Sequence, residues 1–394
     1  MDPRIWRTVE DWNFWERKPE TGIPRDVTET AWRLMGGPEA VYFFGPRRSG
    51  KTTVCKQLLS KLSKKFGATS CLYINFEEPS FSGMLSTAFI TGLVEQHERA
   101  HGKKPRFIFL DEAQNVSAWE KWVRSAVDRK AHKVFVTGSS ARLLSSEFAT
   151  ALSGRGLGFM VLPFSFREFR RALPKATLED HFKIGGYPAV VLEKNEEKRT
   201  RMLEEYFETA IAKDIAARYQ VRDVPTLRTL AVYLLTNSGK LFSYNKLRAL
   251  THLSFDAIKL YLSYLEDAFL VFQVPQFSYS LKQAMEKPRK YYAYDLGLQA
   301  AVSKSYTPDL GRKVEGAVAI ELRRRGNEPQ YFAKGAEVDF ILKDGMRLTA
   351  LNVCHSEKPP ARETSSLAEF RKKHRNASTR LLAGRKRIAG WLSE

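Results

Sequence analysis

The stretch Gly45-Pro46-Arg47-Arg48-Ser49-Gly50-Lys51-Thr52 matches the phosphate-binding pattern G-x-x-x-x-G-K-[ST]. An apolar run at residues 41–44 precedes it, and we expect a helix to begin near Gly50. The glycines let successive backbone N–H groups turn toward a phosphate at that helix N-terminus. Lys51 would contact the β- and γ-phosphates of a nucleotide, and the Thr52 hydroxyl would ligate Mg²⁺. The alternative interpretation is a turn that binds no ligand.

Five short apolar runs lie between residues 40 and 162, and longer segments with helical periodicity separate them. Runs without polar alternation are typical of strands buried on both faces of a sheet, and the intervening segments are long enough for crossover helices. We therefore predict a parallel α/β domain around the phosphate-binding pattern. The predicted strands are 41–44, 71–76, 107–110, 134–136 and 159–162.

Two carboxylates, Asp111 and Glu112, follow the predicted strand at residues 107–110. Their position puts them at the carboxyl edge of a parallel sheet, facing the crevice in which nucleotides bind. Asp111 would hold Mg²⁺ through water, and Glu112 would orient and polarise an attacking water. The alternative is a strand-end carboxylate that only caps the next helix.

Two further residues lie where they could reach a γ-phosphate. Ser139 follows the strand at residues 134–137, and a serine there could sense the phosphate; its alternative role is to cap the helix expected at 142–148. Arg155 lies in a turn before the last strand, where its guanidinium could stabilise transition-state charge in a neighbouring subunit. The alternative for Arg155 is a surface arginine.

The remainder of the chain divides by pattern. Residues 163–220 are predicted to be helical and highly charged, with a break at Gly185-Gly186-Tyr187-Pro188. Residues 226–295 predict three short helices followed by strands, the order of a winged-helix module. A second, smaller α/β unit follows. We therefore expect five segments: an arm over 1–36, an α/β core over 37–162, a helical lid over 163–220, a winged helix over 221–300 and an α/β unit over 301–394.

Three basic residues, Lys246, Arg248 and Lys259, lie on or beside the helices that would face a DNA backbone in a winged helix. Solvated faces carry such residues routinely, and winged helices also serve for protein contacts. The arm over residues 1–36 holds four of the seven tryptophans. Their density predicts that the arm packs over the lid or over a neighbouring subunit.

Lysine and arginine outnumber aspartate and glutamate by 64 to 44, and the formal net charge is +20. This surplus favours a polyanionic partner such as DNA; the alternative is a charge that only keeps the protein soluble. The first residues resemble neither a signal nor a transit peptide, and no uncharged apolar stretch approaches the roughly 18 residues of a membrane span. The three cysteines form no Cys-x-x-Cys pair. We expect a soluble, cytoplasmic protein without a membrane partner.

The order of motifs along the chain resembles that of prokaryotic AAA+-type ATPases with a C-terminal DUF4143 region. The resemblance covers nearly the whole chain. It rests on Gly-Pro-Arg-Arg-x-Gly-Lys-Thr, Leu-Asp-Glu-Ala-Gln, Thr-Gly-Ser-Ser, Leu-Ser-Gly-Arg, Pro-Phe-Ser-Phe-Arg-Glu-Phe and Gly-Gly-Tyr-Pro.

This resemblance implies a P-loop ATPase core that uses ATP and Mg²⁺, a small helical lid, a winged helix and a domain related to PD-(D/E)XK nucleases. It implies that Asn75 restrains Glu112, that Pro188 is a lid contact to the nucleotide, and that Arg155 acts as the arginine finger. The nucleotide-binding segment then runs from Gly45 through Thr53.

The nuclease-like domain is predicted to be inactive. Glu315 and Asp339 occupy the first two positions of the metal-binding pattern that the resemblance implies. On the next strand, Asn352 replaces the acid and Cys354 replaces the lysine, so one metal-binding charge and the water-activating cation are both missing. Such a scaffold can still bind DNA.

Three hypotheses of function follow. The first is an Mg²⁺-dependent ATPase that forms a homo-oligomer, a hexameric ring being one arrangement, and couples hydrolysis to binding, remodelling or moving DNA, including branched or forked DNA. The second is a slow signalling switch in which ATP exchange changes the bound partner. The third is a DNA-binding protein that uses ATP only to assemble.

Overall fold

The computed structural model describes residues 2–138, 154–280, 287–303 and 309–394. The chain folds as two compact units, Met1–Val161 and Leu162–Glu394. Within the described ranges, no helix combines the length and apolar character needed to cross a membrane.

The first unit is built on a parallel five-stranded sheet with the strand order β2-β3-β4-β1-β5. Its central strands carry apolar side chains on both faces and are buried on both, which confirms the predicted parallel α/β architecture. The strands are β1 (Ala40–Phe44), β2 (Cys71–Asn75), β3 (Phe107–Asp111), β4 (Lys133–Gly138) and β5 (Gly156–Met160).

Strand β5 begins three residues before the predicted start at 159 and ends at Met160 rather than at 162. The start of β5 is difficult to predict from the sequence because Gly158 lies within it, and glycine is unfavourable inside a strand. In the structure a Cβ at Gly158 would lie 2.6 Å from the ring of Tyr42. The glycine therefore makes room for a neighbouring aromatic side chain.

Five described helices accompany this sheet. Helix α3 begins at Lys51, directly after the left-handed Gly50, which confirms the predicted start, and it ends before Gly67. The helices are α1 (Pro3–Trp12), α2 (Asp26–Leu34), α3 (Lys51–Phe66), α4 (Thr87–His101) and α5 (Trp119–Asp128).

The tryptophan-rich arm packs on strand β2 of its own unit, and its predicted packing over the lid or over a neighbouring subunit stays a prediction. Trp15 donates its indole N–H to the carbonyl of Cys71 on β2, and the Trp6 ring packs against Trp15 at a tilt, with ring centroids 5.6 Å apart. Because β2 is an edge strand, its unpaired backbone groups give the arm a binding surface that the sequence does not reveal.

The second unit begins with short helices, and the predicted break at residues 185–188 separates two of them. Ser165 and Thr177 form capping boxes with Glu168 and Asp180. These helices are α6 (Phe166–Ala172), α7 (Leu178–Ile184), α8 (Pro188–Leu192) and α9 (Glu196–Thr209), followed by a π-helical segment (Ala210–Ala217).

A winged-helix arrangement follows, as predicted. Ser243 and Ser254 cap their helices by accepting hydrogen bonds from the backbone of Lys246 and Ala257. Three antiparallel strands in the order β6-β8-β7 pack with the helices. The elements are α10 (Val224–Thr236), β6 (Leu241–Phe242), α11 (Tyr244–Thr251), α12 (Phe255–Asp267), β7 (Val271–Val274) and β8 (Arg289–Ala293).

The C-terminal part contains a mixed sheet in the order β12-β11-β10-β9, in which β11 and β12 are parallel and the other pairs are antiparallel. Its helices and mixed sheet confirm the α/β character predicted for residues 301–394. The elements are α13 (Leu296–Val302), α14 (Leu310–Arg324), β9 (Gln330–Lys334), β10 (Ala336–Asp344), β11 (Arg347–Cys354), α15 (Ala361–Lys373), β12 (Ala377–Ala383) and α16 (Arg385–Ser393).

Candidate nucleotide-binding site

The phosphate-binding pattern forms the connection between β1 and α3. Gly50 has φ of 96° and Arg48 has φ of 62°, so the chain turns sharply before the helix. A Cβ on Gly45 would fall 2.2 Å from the carbonyl oxygen of Val161, which only glycine avoids. The loop therefore ends at a helix N-terminus, where free N–H groups and the helix dipole favour an anion.

Lys51 and Ser49 show that the loop suits a phosphate. Lys51 is 4% exposed, and its ammonium donates to the carbonyls of Gly45 at 3.1 Å and Pro46 at 2.9 Å. The hydroxyl of Ser49 is buried and has no hydrogen-bond partner among the described residues. An ammonium folded over the loop and a buried hydroxyl without a partner are groups that a phosphate can bind.

The segment around the start of α2 forms hydrogen bonds to the phosphate-binding loop and to α3. The Arg25 guanidinium donates to the carbonyl of Ser49 at 2.7 Å, and Arg25 is 2% exposed. Gln57 of α3 accepts hydrogen bonds from the Arg25 backbone and the Thr28 hydroxyl, and donates to the carbonyls of Thr21 and Ile23. Sequence reasoning missed this clamp, because nothing in the sequence links residues 21–28 to the helix.

Asp111 lies at the end of β3 beside the loop, as predicted, and accepts hydrogen bonds from three hydroxyl groups. The Thr52 hydroxyl donates to Oδ2 at 2.8 Å, and the Tyr73 hydroxyl donates to the same oxygen. Thr137, on β4, donates to Oδ1. The sequence identified Thr52, whereas Tyr73 and Thr137 are brought in by the strand order.

Burial raises the pKa of the Asp111 carboxyl, and hydrogen bonds from Thr137, Tyr73 and Thr52 act in the opposite direction. The Thr52 hydrogen points toward Asp111, so the lone pairs of that hydroxyl are free for a cation. A hydroxyl and a carboxylate beside a phosphate-binding loop form an oxygen donor set of the kind that Mg²⁺ uses together with nucleotide phosphates. The residues present therefore fit Mg²⁺ bound with a nucleotide.

Glu112 has an unusual backbone conformation, with φ of 55° and ψ of 48°. Its N–H donates to the Thr137 hydroxyl at 2.9 Å, and its carboxylate accepts a hydrogen bond from the Gln114 side chain. The Gln114 carbonyl oxygen is buried and has no hydrogen-bond partner in the described part of the chain. Left-handed backbone at a non-glycine residue is costly and is found at functional sites.

Asn75, at the end of β2, stands in register with Asp111. Its side-chain oxygen accepts a hydrogen bond from the Glu77 backbone at 3.0 Å. The structure pairs the Glu112 carboxylate with Gln114, so restraint of Glu112 by Asn75 stays a prediction. The sequence offered a signal for Gln114, because it lies two residues after Glu112 in the same motif.

Arg155 precedes β5, as predicted, and its Nε lies 2.5 Å from Oδ1 of Asp128 at the end of α5. A finger role therefore requires that this ion pair opens. Ser139 lies outside the described residues, so its sensing role stays a prediction.

The remaining candidate residues lie in both units. Arg47 pairs with Glu77 at 3.2 Å, and a Cβ added at Gly22 would lie 3.4 Å from the methyl group of Thr53. Pro188 begins α8 in the second unit, and its contact with a nucleotide stays a prediction.

The three candidate DNA-binding residues are exposed on the winged-helix part. Lys246 and Arg248 lie on α11, and Lys259 lies on α12 with its ammonium 4.2 Å from the ring centroid of Phe255. Phe255 and Leu260 are 45% and 48% exposed on the same helix. This surface is thus both basic and apolar.

A second site with grouped charges lies in the C-terminal part, at a cavity of about 1060 Å³. Lys290, from β8, is buried and lies 3.1 Å from Glu315 and 3.4 Å from Glu337. Burial lowers the pKa of Lys290, but the carboxylates of Glu315, Asp339 and Glu337 outweigh it and raise the pKa above its usual value. An internal ammonium therefore compensates these carboxylates.

Asn352 and Cys354, at the positions expected for an acid and a lysine, are both buried. The Asn352 amide accepts from the Asp339 N–H and donates to Glu363 and Ser366. Burial and the Glu315 charge raise the pKa of Asp339 well above its usual range. Within the described ranges, no group of three or more His, Cys, Asp or Glu side chains is arranged to hold a metal ion.

The parallel sheet and the phosphate-binding loop define a P-loop NTPase fold, and a family profile described as an AAA domain matches residues 38–170. A second profile, a domain of unknown function (DUF8612), matches residues 175–309. This region was expected to resemble DUF4143, and the matching family is a different one.

The chain belongs to the same family as MJ1544, an uncharacterized protein of Methanocaldococcus jannaschii. The two are 32% identical over 338 residues, which cover 79% of this chain and 74% of the relative. An uncharacterized protein of Haemophilus influenzae is 29% identical over 342 residues, covering 83% of this chain and 85% of that protein.

Two solved structures are similar to parts of this chain. AMPPCP-bound DnaA from Aquifex aeolicus has a TM-score of 0.33 and 12% identity, covering 61% of this chain and 86% of that chain. Cdc6p from Pyrobaculum aerophilum has a TM-score of 0.30 and 13% identity, covering 73% of this chain and 94% of that chain.

Proposed function

We propose that this protein is an Mg²⁺-dependent ATPase. The observation that carries the proposal is the hydrogen bond between Thr52 of the phosphate-binding loop and Asp111 of β3, beside the strained Glu112. A loop that fits phosphate, an oxygen donor set that fits Mg²⁺ and an adjacent carboxylate are the parts that ATP hydrolysis requires.

Each residue has a separate task in this reaction. Lys51 would move from the loop carbonyls to the β- and γ-phosphates, and Thr52 and Asp111 would hold Mg²⁺, which neutralises charge on the phosphate oxygens when bound. Glu112 would orient the attacking water and accept its proton. Its backbone is fixed by Thr137, so the carboxylate starts from a defined place at the end of β3.

We further propose that the protein forms a homo-oligomer and couples hydrolysis to DNA. The net charge of +20 and the exposed Lys246, Arg248 and Lys259 support a DNA partner. The test is ATP turnover with and without duplex, single-stranded and branched DNA, together with the mass in solution. DNA-stimulated turnover in an oligomer supports the proposal, whereas slow, unstimulated turnover in a monomer supports the switch.

DNA affinity is expected to fall steeply between about 50 and about 200 mM salt and to show little sequence preference, because phosphate contacts release counterions. Lys246→Ala should lower the slope of log affinity against log salt by about 1 if the residue contacts a phosphate. Lys64→Ala, an exposed lysine on α3, is the matched control. Absence of binding to every DNA form at low salt would remove DNA from the proposal.

We also propose that the C-terminal cavity does not cut DNA. Lys290 lies against Glu315 and Glu337, and the neutral Asn352 holds the position of a third acid. The wild-type protein is therefore expected to leave supercoiled plasmid intact with Mg²⁺ or Mn²⁺. Glu315→Ala or Asp339→Ala should alter thermal stability or DNA affinity instead. Metal-dependent nicking that Asp339→Ala abolishes would contradict this expectation.

A further inference from the structure

Tyr73 connects the N-terminal arm with the Mg²⁺-binding carboxylate. It lies on β2, the edge strand of the first sheet, and is fully buried. Its hydroxyl donates to Oδ2 of Asp111, the oxygen that also accepts from Thr52. A tyrosine hydroxyl is protonated at neutral pH and can therefore donate this hydrogen bond.

The backbone of Tyr73 is held by a single side chain of the arm. Its N–H donates to Oδ1 of Asn13 at 2.8 Å, and its carbonyl accepts from Nδ2 of Asn13 at 2.9 Å. Asn13 is 4% exposed and also donates to the carbonyl of Val9 at the end of α1. The amide thus replaces the hydrogen bonds of a neighbouring strand and fixes Tyr73 along the sheet edge.

Aromatic residues on both sides of Asn13 hold the ring of Tyr73. Its centroid lies 6.4 Å from the Trp12 ring and 6.5 Å from the Phe14 ring. Trp12 is itself fixed, because its indole N–H donates to Glu78 at 2.8 Å. The arm therefore contacts both the backbone and the ring of Tyr73.

A purely structural role does not account for the hydroxyl. A phenylalanine would fill the same apolar space, and the sheet core already contains Phe43, Phe109 and Phe135. The hydroxyl instead gives the buried Asp111 carboxylate a third donor, which fixes its rotation together with Thr52 and Thr137. Partners of this kind orient metal ligands and tune their affinity.

We propose that Tyr73 is a positioning residue for Asp111, and that the arm residues Trp12, Asn13 and Phe14 set its position and so tune Mg²⁺–nucleotide binding. The proposal rests on the proposed ATPase function. It gives the tryptophan-rich arm a role at the site, although the arm itself does not contact Asp111 through any described hydrogen bond.

The first test is Tyr73→Phe, which keeps the ring and removes one hydroxyl. Mg²⁺ should increase the affinity of the protein for a fluorescent ATP analogue. The Mg²⁺ concentration that gives half of this increase is expected to rise about 10-fold or more in the variant. In turnover, kcat should fall at subsaturating Mg²⁺ while the KM for ATP changes little. Tyr42→Phe on β1, which likewise removes one tyrosine hydroxyl from the sheet, is the matched control, and thermal unfolding checks the fold of both variants.

The second test addresses the arm. Asn13→Asp keeps the acceptor for the Tyr73 N–H and loses the donor to its carbonyl, so it should shift the Mg²⁺ dependence in the same direction. If the arm acts through Tyr73, the double variant should be no worse than Tyr73→Phe alone. Additive shifts would contradict action through Tyr73.

The outcomes separate the two proposals. If Tyr73→Phe hydrolyses ATP as fast as the wild type and has the same Mg²⁺ dependence, the positioning role is overturned and the ATPase proposal stands. Wild-type protein that shows no Mg²⁺-dependent nucleotide binding overturns both.

Discussion

Replacing Lys51 by alanine is expected to abolish ATP binding, whereas Glu112→Gln should leave binding intact and remove hydrolysis. The Lys51 ammonium can make two charge-assisted hydrogen bonds to phosphates at about 1.5–3 kcal/mol each, so affinity should fall about 100-fold or more. Glu112 acts only on water, and its loss should lower kcat about 100- to 10,000-fold. Equilibrium binding of a fluorescent ATP analogue and phosphate release measure the two effects separately.

Matched variants exclude a general effect of lost charge. Lys64→Ala removes an exposed lysine from the same helix as Lys51, and Glu120→Gln neutralises a carboxylate at the start of α5. Both should bind and hydrolyse ATP as the wild type does. Turnover of Glu112→Gln equal to that of the wild type would remove Glu112 from the mechanism, and unchanged ATP affinity in Lys51→Ala would remove the phosphate-binding role of the loop.

The sequence predicts the site residues best where they belong to one short motif or directly follow one strand. Lys51 and Thr52 belong to one local motif, and Asp111 and Glu112 follow one buried strand, so their meeting requires only that β1 and β3 share a parallel sheet. Tyr73 lies inside an apolar run and has no local feature that marks its hydroxyl as functional. Its bond to Asp111 follows from the pairing of β2 with β3.

In the second unit, the sequence could predict the carboxylates of the cavity but not the lysine that pairs with them. Glu315 and Asp339 could be named from the pattern of helix and strands. Lys290 lies before an aromatic run on β8 and reads as a surface lysine at a strand end. Only the packing of β8 against α14 brings its ammonium to Glu315. The positive charge of Lys290 then compensates the carboxylate that the sequence pattern suggested as a metal ligand.

Arg155→Ala is expected to slow ATP hydrolysis by about 1,000-fold or more without weakening ATP binding, if the guanidinium reaches the γ-phosphate of a neighbouring subunit. In the single chain Arg155 is paired with Asp128, so loss of a structural ion pair must be separated from loss of a finger. Asp128→Asn removes the ion pair and leaves the guanidinium available. A finger predicts that this variant keeps its turnover.

Mixing Arg155→Ala protein with Glu112→Gln protein tests action between subunits. Each variant alone lacks one part of the site, but a mixed oligomer contains interfaces that pair an intact Glu112 with an intact Arg155. Partial recovery of phosphate release on mixing is therefore expected, and its dependence on the mixing ratio reports how many subunits share the active form. No recovery, together with equal losses in Asp128→Asn and Arg155→Ala, would show that Arg155 acts within its own subunit through the ion pair with Asp128.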